Sequence, residues 1–292
     1  MTADDKLLIC KKTRKIATDA LLKTLRKALK RSRISEKQFR DLWLEELRNN
    51  PSLFPNGWYV PPPHGLIVLF ATVKNPTRVL YPSMRPKVTW PRSDIYLDKT
   101  DGVLAFYASP VDRKSGVIGD MEVMVYLGND KEIINSLKTC VKINKDVFEF
   151  LKAGQKISDI AKFANKLINS KGFVNNILST NDPQIINIGH TIPITYQNWT
   201  NREESITDSD TKNWQNVCNL ISKKRIFINE AENFEIRFPL ALSIEPRLRL
   251  KNRTDLPSAW SHSIIFFDTR GNKEQLFGFD QIYKICGMKY LI

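Results

Sequence analysis

The 292-residue chain has only three histidines, His64, His190 and His262. That scarcity excludes a metal centre built mainly from imidazoles. It leaves room for a carboxylate-rich site with one histidine, a mixture that hard or borderline divalent ions accept. Cysteine is also sparse. Cys10, Cys140, Cys218 and Cys286 lie far apart and no two have C-x-x-C spacing, so neither a zinc cluster nor a disulfide framework is expected, and the four read as reduced thiols. No long apolar run exists: the longest, residues 65–73 (GLIVLFATV), is far too short to cross a bilayer. The opening MTADDKLLICKKTRK has early acids and no apolar core, so no secretory signal is expected. These absences lead to the expectation of a cytoplasmic protein without membrane attachment.

Acidic charge is in deficit: Lys plus Arg is 45 against 31 Asp plus Glu, a net +14. Such a balance attracts polyanions. Ten of the basic residues, Lys11, Lys12, Arg14, Lys15, Lys23, Arg26, Lys27, Lys30, Arg31 and Arg33, crowd one predicted helix. They read either as a solvated face or as a contact for nucleic acid or an acidic partner. No aromatic residue lies between Lys11 and Arg33, which excludes base stacking there and leaves backbone contact as the mode.

Apolar periodicity predicts a helix over residues 6–30, with Leu7, Leu8, Ile16, Ala20, Leu25, Ala28 and Leu29 as its buried stripe. Ser35 and Gln38 have capping-box spacing and open a second helix that buries Phe39, Leu42, Leu44 and Leu47. Strands are predicted at 65–73, 103–107 and 122–126, then a helix at 131–152. A further helix, capped by Ser158, ends at 171–172. Beyond Phe173 the pattern reads as strands and loops, with strands at 234–244, 262–267 and 275–279 and a polar surface insertion at 201–212. No linker composition divides the chain, so residues 1–292 read as one domain, with residues 1–34 its basic N-terminal helix. The order fits an α+β fold, a curved, mostly antiparallel sheet backed by helices.

Two short motifs stand in the second half. Asn187-Ile-Gly-His190 precedes a long loop, and a strand ends in Leu242-Ser-Ile-Glu-Pro246. The pair resembles the "GH" and "(T/S)IEP" motifs of the pita-bread metallopeptidases, the group of methionine aminopeptidase, aminopeptidase P and creatinase. The resemblance covers residues 35 to 292. It implies the pita-bread fold and a site of two adjacent divalent metals, manganese, cobalt or zinc, of which this chain is expected to hold one ion or none. It implies Asp120, His190, Glu245 and Glu274 as metal ligands, Glu245 also as the group that takes a proton from the attacking water, and His64 as a substrate-binding histidine. The substrate implied is the N-terminal end of a peptide. The chain departs from the pattern at two places. Ser109 stands near the first chelating aspartate, where a neutral hydroxyl is a poor substitute, with Asp112 the nearest carboxylate. No histidine follows Gly189-His190 in the segment where the peptidases often have one. Two functions therefore follow: a divergent aminopeptidase-like hydrolase, or a non-catalytic binding module, a pseudoenzyme with eroded ligands. Each candidate also has a plain structural reading. Asp120 and Glu274 can be turn acids, and His64, His190 and His262 can be packed or loop residues.

Overall fold

The computed structural model describes residues 1–60, 62–177, 182–193, 195 and 214–292. Two helices open the chain. In α1 (Ala3–Lys30) the Thr2 side chain accepts from the Asp5 amide and Asp5 returns a bond to the Thr2 amide; α2 (Glu36–Arg48) starts with the same exchange between Ser35 and Gln38. Each exchange satisfies amides that a first turn leaves without partners. The buried stripe of α1 differs from the predicted one. Leu7, Ala20, Leu25 and Ala28 are inside, but Leu8 is exposed and Arg14 is buried. Arg14 therefore leaves the basic band. Lys12, Lys15, Lys23, Arg26, Lys27, Lys30, Arg31 and Arg33 remain exposed, several of them ion-paired, Lys15 with Asp19 and Lys27 with Glu46.

Strands β1 (Leu66–Thr72), β2 (Gly102–Ala108) and β3 (Met121–Tyr126) form an antiparallel sheet in that order. All residues of β2 and β3 are buried, as near-continuous apolar runs require when both faces of a sheet are covered. From α2, Phe39 stacks on Phe106 at 4.9 Å and meets Phe70 edge-on at 5.7 Å, and Trp43 meets Phe106 edge-on at 6.1 Å. Each fully buried ring of this kind contributes about 1.5–3 kcal/mol through removal of its apolar surface from water.

Helices α3 (Lys131–Phe150) and α4 (Ile157–Ser170) follow. Ser158 does not cap α4. It lies inside the first turn, and the cap residue Lys156 makes no side-chain bond. The amides of Ile157 and Ser158 donate instead to the carbonyls of Phe234 and Glu232. That use of the chain explains why the strand predicted at 234–244 is shorter. The segment before it serves the end of α4, and only Leu240–Ile244 forms β6.

The second half adds β4 (Phe173–Asn175), β5 (Gly189–Thr191), α5 (Trp214–Lys224), β7 (Arg247–Leu250), β8 (Ala259–Trp260), β9 (Ser263–Phe267), β10 (Lys273–Leu276) and α6 (Asp280–Ile285). A four-stranded sheet runs β10-β9-β6-β5 and a three-stranded one β4-β7-β8, all pairs antiparallel. Helix α5 was missed by the sequence reading, although Trp214, Val217, Cys218 and Ile221 carry the helical spacing. The insertion predicted at 201–212 lies outside the described residues. Among the described residues no helix is long and apolar enough to cross a membrane.

Two apolar clusters result. The larger joins the sheets to α2, α3 and α4. The smaller, with Leu7, Cys10, Trp58, Ile118, Val217, Ile221, Ile264 and Phe266, sits where α1 and α5 press on the face formed by β6 and β9.

A buried ion pair ties α2 to the first sheet. Glu36, fully buried, accepts from the Phe70 amide at 2.6 Å, from Arg78 Nη2 at 2.6 Å and from the Arg92 amide at 2.9 Å. Removing one member of such a pair strands the other charge. Glu36→Ala is therefore expected to cost about 3–5 kcal/mol, read as a lower urea midpoint. A loss below about 1 kcal/mol would mean that Arg78 is solvated rather than held.

Candidate functional site

Four polar residues gather where neighbouring strands end. His190 lies on β5 opposite Ser243 of β6. Glu245 directly follows β6, Asp120 directly precedes β3, and His262 directly precedes β9. Antiparallel pairing of β5, β6 and β9 brings His190, Glu245 and His262 to one place, and Asp120 joins them from the end of the other sheet. His190 Nε2 stands 3.4 Å from Glu245 Oε1 and 3.7 Å from Asp120 Oδ2, and His262 Nε2 stands 3.5 Å from the same Glu245 oxygen. Asp120, His190 and His262 are buried. His262 was not among the site candidates. Its signal was positional: it stands immediately ahead of a buried apolar strand, as Asp120 does.

Arg14 of α1 enters this group from the side. It is 1% exposed. Its Nη1 donates to the Asp120 carbonyl and lies 2.9 Å from His262 Nδ1, and its Nη2 donates to the carbonyls of His262 at 3.0 Å and Phe277 at 2.8 Å. The β9–β10 ladder stops at Ile264 and Leu276, so the guanidinium bridges the strand ends where pairing gives out. The helix reaches this depth because residue 119 is glycine. A Cβ there would lie 2.4 Å from the Arg14 nitrogen and 2.8 Å from the Thr13 carbonyl carbon.

The contacts fix both histidine tautomers. A guanidinium only donates, so His262 Nδ1 accepts from Arg14 and Nε2, 3.5 Å from Glu245 Oε1, carries the hydrogen. His190 Nδ1 lies 2.8 Å from the Thr191 carbonyl and must donate to it, leaving Nε2 bare toward Glu245 and Asp120. Burial lowers His190 to about 4 and Arg14 to about 10, so at neutral pH the imidazole is neutral and the guanidinium charged. Burial, reinforced by the charge of Glu245 and opposed by the Trp58 hydrogen bond, raises Asp120 to about 8. Glu245 is pushed up by burial but pulled further down by His190 and His262, ending below the usual carboxylate range.

The remaining candidates lie elsewhere. Ser109 is fully buried; its Oγ accepts from the Tyr59 amide at 3.0 Å and donates to the Gly65 carbonyl at 3.2 Å. A Cβ at Gly57 or Gly65 would lie 2.4 or 2.6 Å from that oxygen, so the hydroxyl fills a socket between two glycines and leaves no room for a chelating carboxylate. Asp112 ties its own turn, accepting from Ser115 Oγ at 2.7 Å and the Ser115 amide at 2.8 Å. The structure takes Glu274 away from the group. On β10 it is exposed and ion-paired with Lys11 at 2.6 Å, because α1 lies across that strand. His64 sits in a turn (Pro63–Gly65) at φ 63°, 2.9 Å from Asn56 Oδ1, and lines a separate crevice with Leu47 and Asn56.

Beside the group lies a cavity of about 80 Å³ lined by Tyr59, Met84, Tyr107, Ile177, His190, Arg225, Phe227 and Glu245. Its lining mixes aromatic side chains with charged ones, the Glu122–Arg247 pair included.

No protein-family model and no curated protein matches the chain. Solved structures do. The X-Pro aminopeptidase of Thermotoga maritima MSB8 superimposes with a TM-score of 0.62 at 14% identity, over 93% of this chain and 60% of that one. The chain has the pita-bread fold. A Xaa-Pro dipeptidase from Bacillus anthracis gives 0.60 at 13% identity, again over 93% and 60%. The methionine aminopeptidase of Thermotoga maritima gives 0.56 at 14%, over 90% of this chain and 94% of that one. The chain thus spans about 60% of the two longer neighbours and nearly all of the shorter one.

The pita-bread resemblance implies two adjacent metals, and the residues present do not fit them. Two ligands about 2.1 Å from one ion stand roughly 3–3.5 Å apart, which His190 and Glu245 approach. The set does not close, however. Among the described residues no group of three or more His, Cys, Asp and Glu side chains is placed to hold a metal ion. His262 Nε2 stands 3.5 Å from the Glu245 oxygen that would coordinate, Ser109 and Glu274 are committed elsewhere, and Arg14 brings a fixed positive charge to the edge of the group.

Arg14→Met keeps the stem of the side chain and removes the donors, leaving three carbonyls and one imidazole nitrogen without their partner. The expected cost is at least about 3 kcal/mol, read as a lower melting temperature. A variant as stable as the parent would show that α1 does not depend on this anchor.

Proposed function

We propose that this chain is a pita-bread module that binds the end of a peptide without cleaving it. The observation that carries this reading is the guanidinium of Arg14, bound to Asp120 and His262 at the side of the strand-end group. A fixed cation beside Asp120, His262 and Glu245 supplies charge that a divalent ion would otherwise bring, and like charges at that range repel. The absence of a carboxylate at Ser109 and the turning away of Glu274 support the same reading. The fold neighbours named as aminopeptidases and dipeptidases suggest the ligand class, a peptide terminus, and the cavity beside His190 and Glu245 is where it would rest. In this account Arg14 and His262 hold Glu245 in place, and the aromatic side chains exclude water from the ligand.

One observation favours the hydrolase reading instead. The bare Nε2 of His190 faces Glu245, and Asp120 Oδ2 has no hydrogen-bond partner, an arrangement that a single manganese, cobalt or zinc ion would satisfy. Calorimetric titration of the intact chain with each metal, alongside release of N-terminal residues from short peptides, separates the two. The binding module shows no stoichiometric equivalent tighter than about 1 mM and no release. One tight equivalent that disappears in His190→Ala, together with metal-dependent release, would replace this proposal with the hydrolase.

A further inference from the structure

The fold sorts the basic residues on and just past α1. Arg14 is buried. Lys11 pairs with Glu274, Lys15 with Asp19, and Lys23 and Lys27 with Glu46. Lys12 lies near the start of the helix, about 20 Å from Arg26 along its axis. The others, Arg26, Lys30, Arg31 and Arg33, crowd the turn from α1 into α2. All four are exposed, and among the described residues no carboxylate forms an ion pair with any of them.

A distant segment adds to this corner. The Leu97 amide donates to the Ile34 carbonyl, the Glu36 amide to the Ile95 carbonyl and the Lys37 amide to the Arg92 carbonyl, so residues 92–97 lie along the turn. Lys99, exposed, donates to the Arg31 carbonyl. Tyr96, bridged to Ser35 through the backbone, is 37% exposed, and the Arg33 guanidinium carbon lies 3.4 Å from the centre of its ring. The sequence places no aromatic residue between Lys11 and Arg33; the fold brings one from further along the chain. The carboxylates here are already engaged. Asp94 pairs with Arg92, Asp98 accepts from the Thr100 and Asp101 amides of its own turn, and Glu36 is buried with Arg78.

A lysine that faces a carboxylate gains little from a phosphate, and its acidic neighbour repels one. Unpaired cations release counterions when phosphates take their place. A guanidinium laid flat on a ring keeps its plane fixed and its edge donors available for phosphate oxygens, and its outer face stacks a base. A duplex keeps its bases stacked on one another, whereas a single strand offers phosphates and a free base face together. An acidic protein segment would meet the charges and leave the stacked pair unused. We infer that the turn between α1 and α2 binds single-stranded nucleic acid, with phosphates on Arg26, Lys30, Arg31 and Lys99 and a base on the Arg33–Tyr96 stack. The inference does not depend on what the cavity beside His190 holds.

The test is fluorescence anisotropy of labelled oligonucleotides of about 12 residues with the intact chain. At about 50 mM salt, oligothymidylate or oligouridylate is expected to bind with a dissociation constant of about 1–100 μM, and a duplex of the same length at least about fivefold more weakly. Changing Arg26, Lys30 and Arg31 together to Gln lowers the slope of log affinity against log salt by about 2. Changing Lys15, Lys23 and Lys27 to Gln removes the same charge but leaves single-strand affinity within about twofold. Tyr96→Ala weakens single-strand binding by about 5- to 20-fold and duplex binding little, and Tyr96→Phe keeps both. Every substituted side chain is exposed, and melting temperatures check that each variant is folded. Oligouridylate binding about tenfold tighter than oligothymidylate identifies RNA as the source, the reverse identifies DNA, and parity a strand of either kind. Equal loss in the two charge variants overturns the inference, because net charge alone would then explain binding. Duplex binding as tight as single-strand binding, equal competition by polyglutamate at matched charge, full retention of single-strand binding in Tyr96→Ala, or no binding below about 1 mM at low salt overturns it as well.

Discussion

The buried guanidinium of Arg14 is the constraint on which the strand-end group depends. A charge at this depth persists only when acceptors surround it, and here they come from three separate parts of the chain: the carbonyls of Asp120, His262 and Phe277 and the imidazole of His262. One side chain of the first helix thus joins the approach to β3, the start of β9 and the segment after β10. It also sets the tautomer of His262 and through it the environment of Glu245. Gly119 is part of the same arrangement, since the helix backbone lies where a side chain at that position would stand.

The pita-bread architecture supplies the framework and the local chemistry departs from it. Strand pairing within one sheet brings His190, Glu245 and His262 together, and the packing of the first sheet against it adds Asp120. Whether such a group can hold metal is decided by a few contacts that the fold does not dictate. A hydroxyl at Ser109 packed between two glycines, a lysine that draws Glu274 outward and an arginine from α1 all change the charge and the room available. Fold and function therefore separate here, as they do on many common folds.

Much of the architecture was legible in the sequence. The strands at 65–73, 103–107 and 122–126 and the helix at 131–152 carry continuous apolar or helical periodicity, and the Ser35–Gln38 exchange follows from spacing. Asp120, His190 and Glu245 were legible through the resemblance to the Gly-His and Ser-Ile-Glu-Pro motifs and the hairpin before them, and the structure places the three side chains near one another. The rest was hidden for physical reasons. Burial of Arg14 depends on acceptors more than 100 positions away and has no local signature, so it read as one more member of a basic face. Glu274 and Gln275 point to opposite sides of β10, and only the seating of α1 assigns Lys11 to the glutamate. The cap of α4 is made by backbone from residues 232–234, which no side-chain pattern announces.

With only three histidines, the imidazole nitrogens can be observed individually, and the central claim makes a definite statement about two of them. Nitrogen-15 spectra of the imidazoles at neutral pH, before and after addition of zinc, test it most directly. The account predicts His262 protonated on Nε2 with Nδ1 accepting, His190 protonated on Nδ1, and both spectra unchanged by the metal. A zinc-induced shift of His190 Nε2, or a hydrogen found on His262 Nδ1, would contradict it, because the first would mean that the group holds metal despite Arg14 and the second that Arg14 does not set the His262 tautomer.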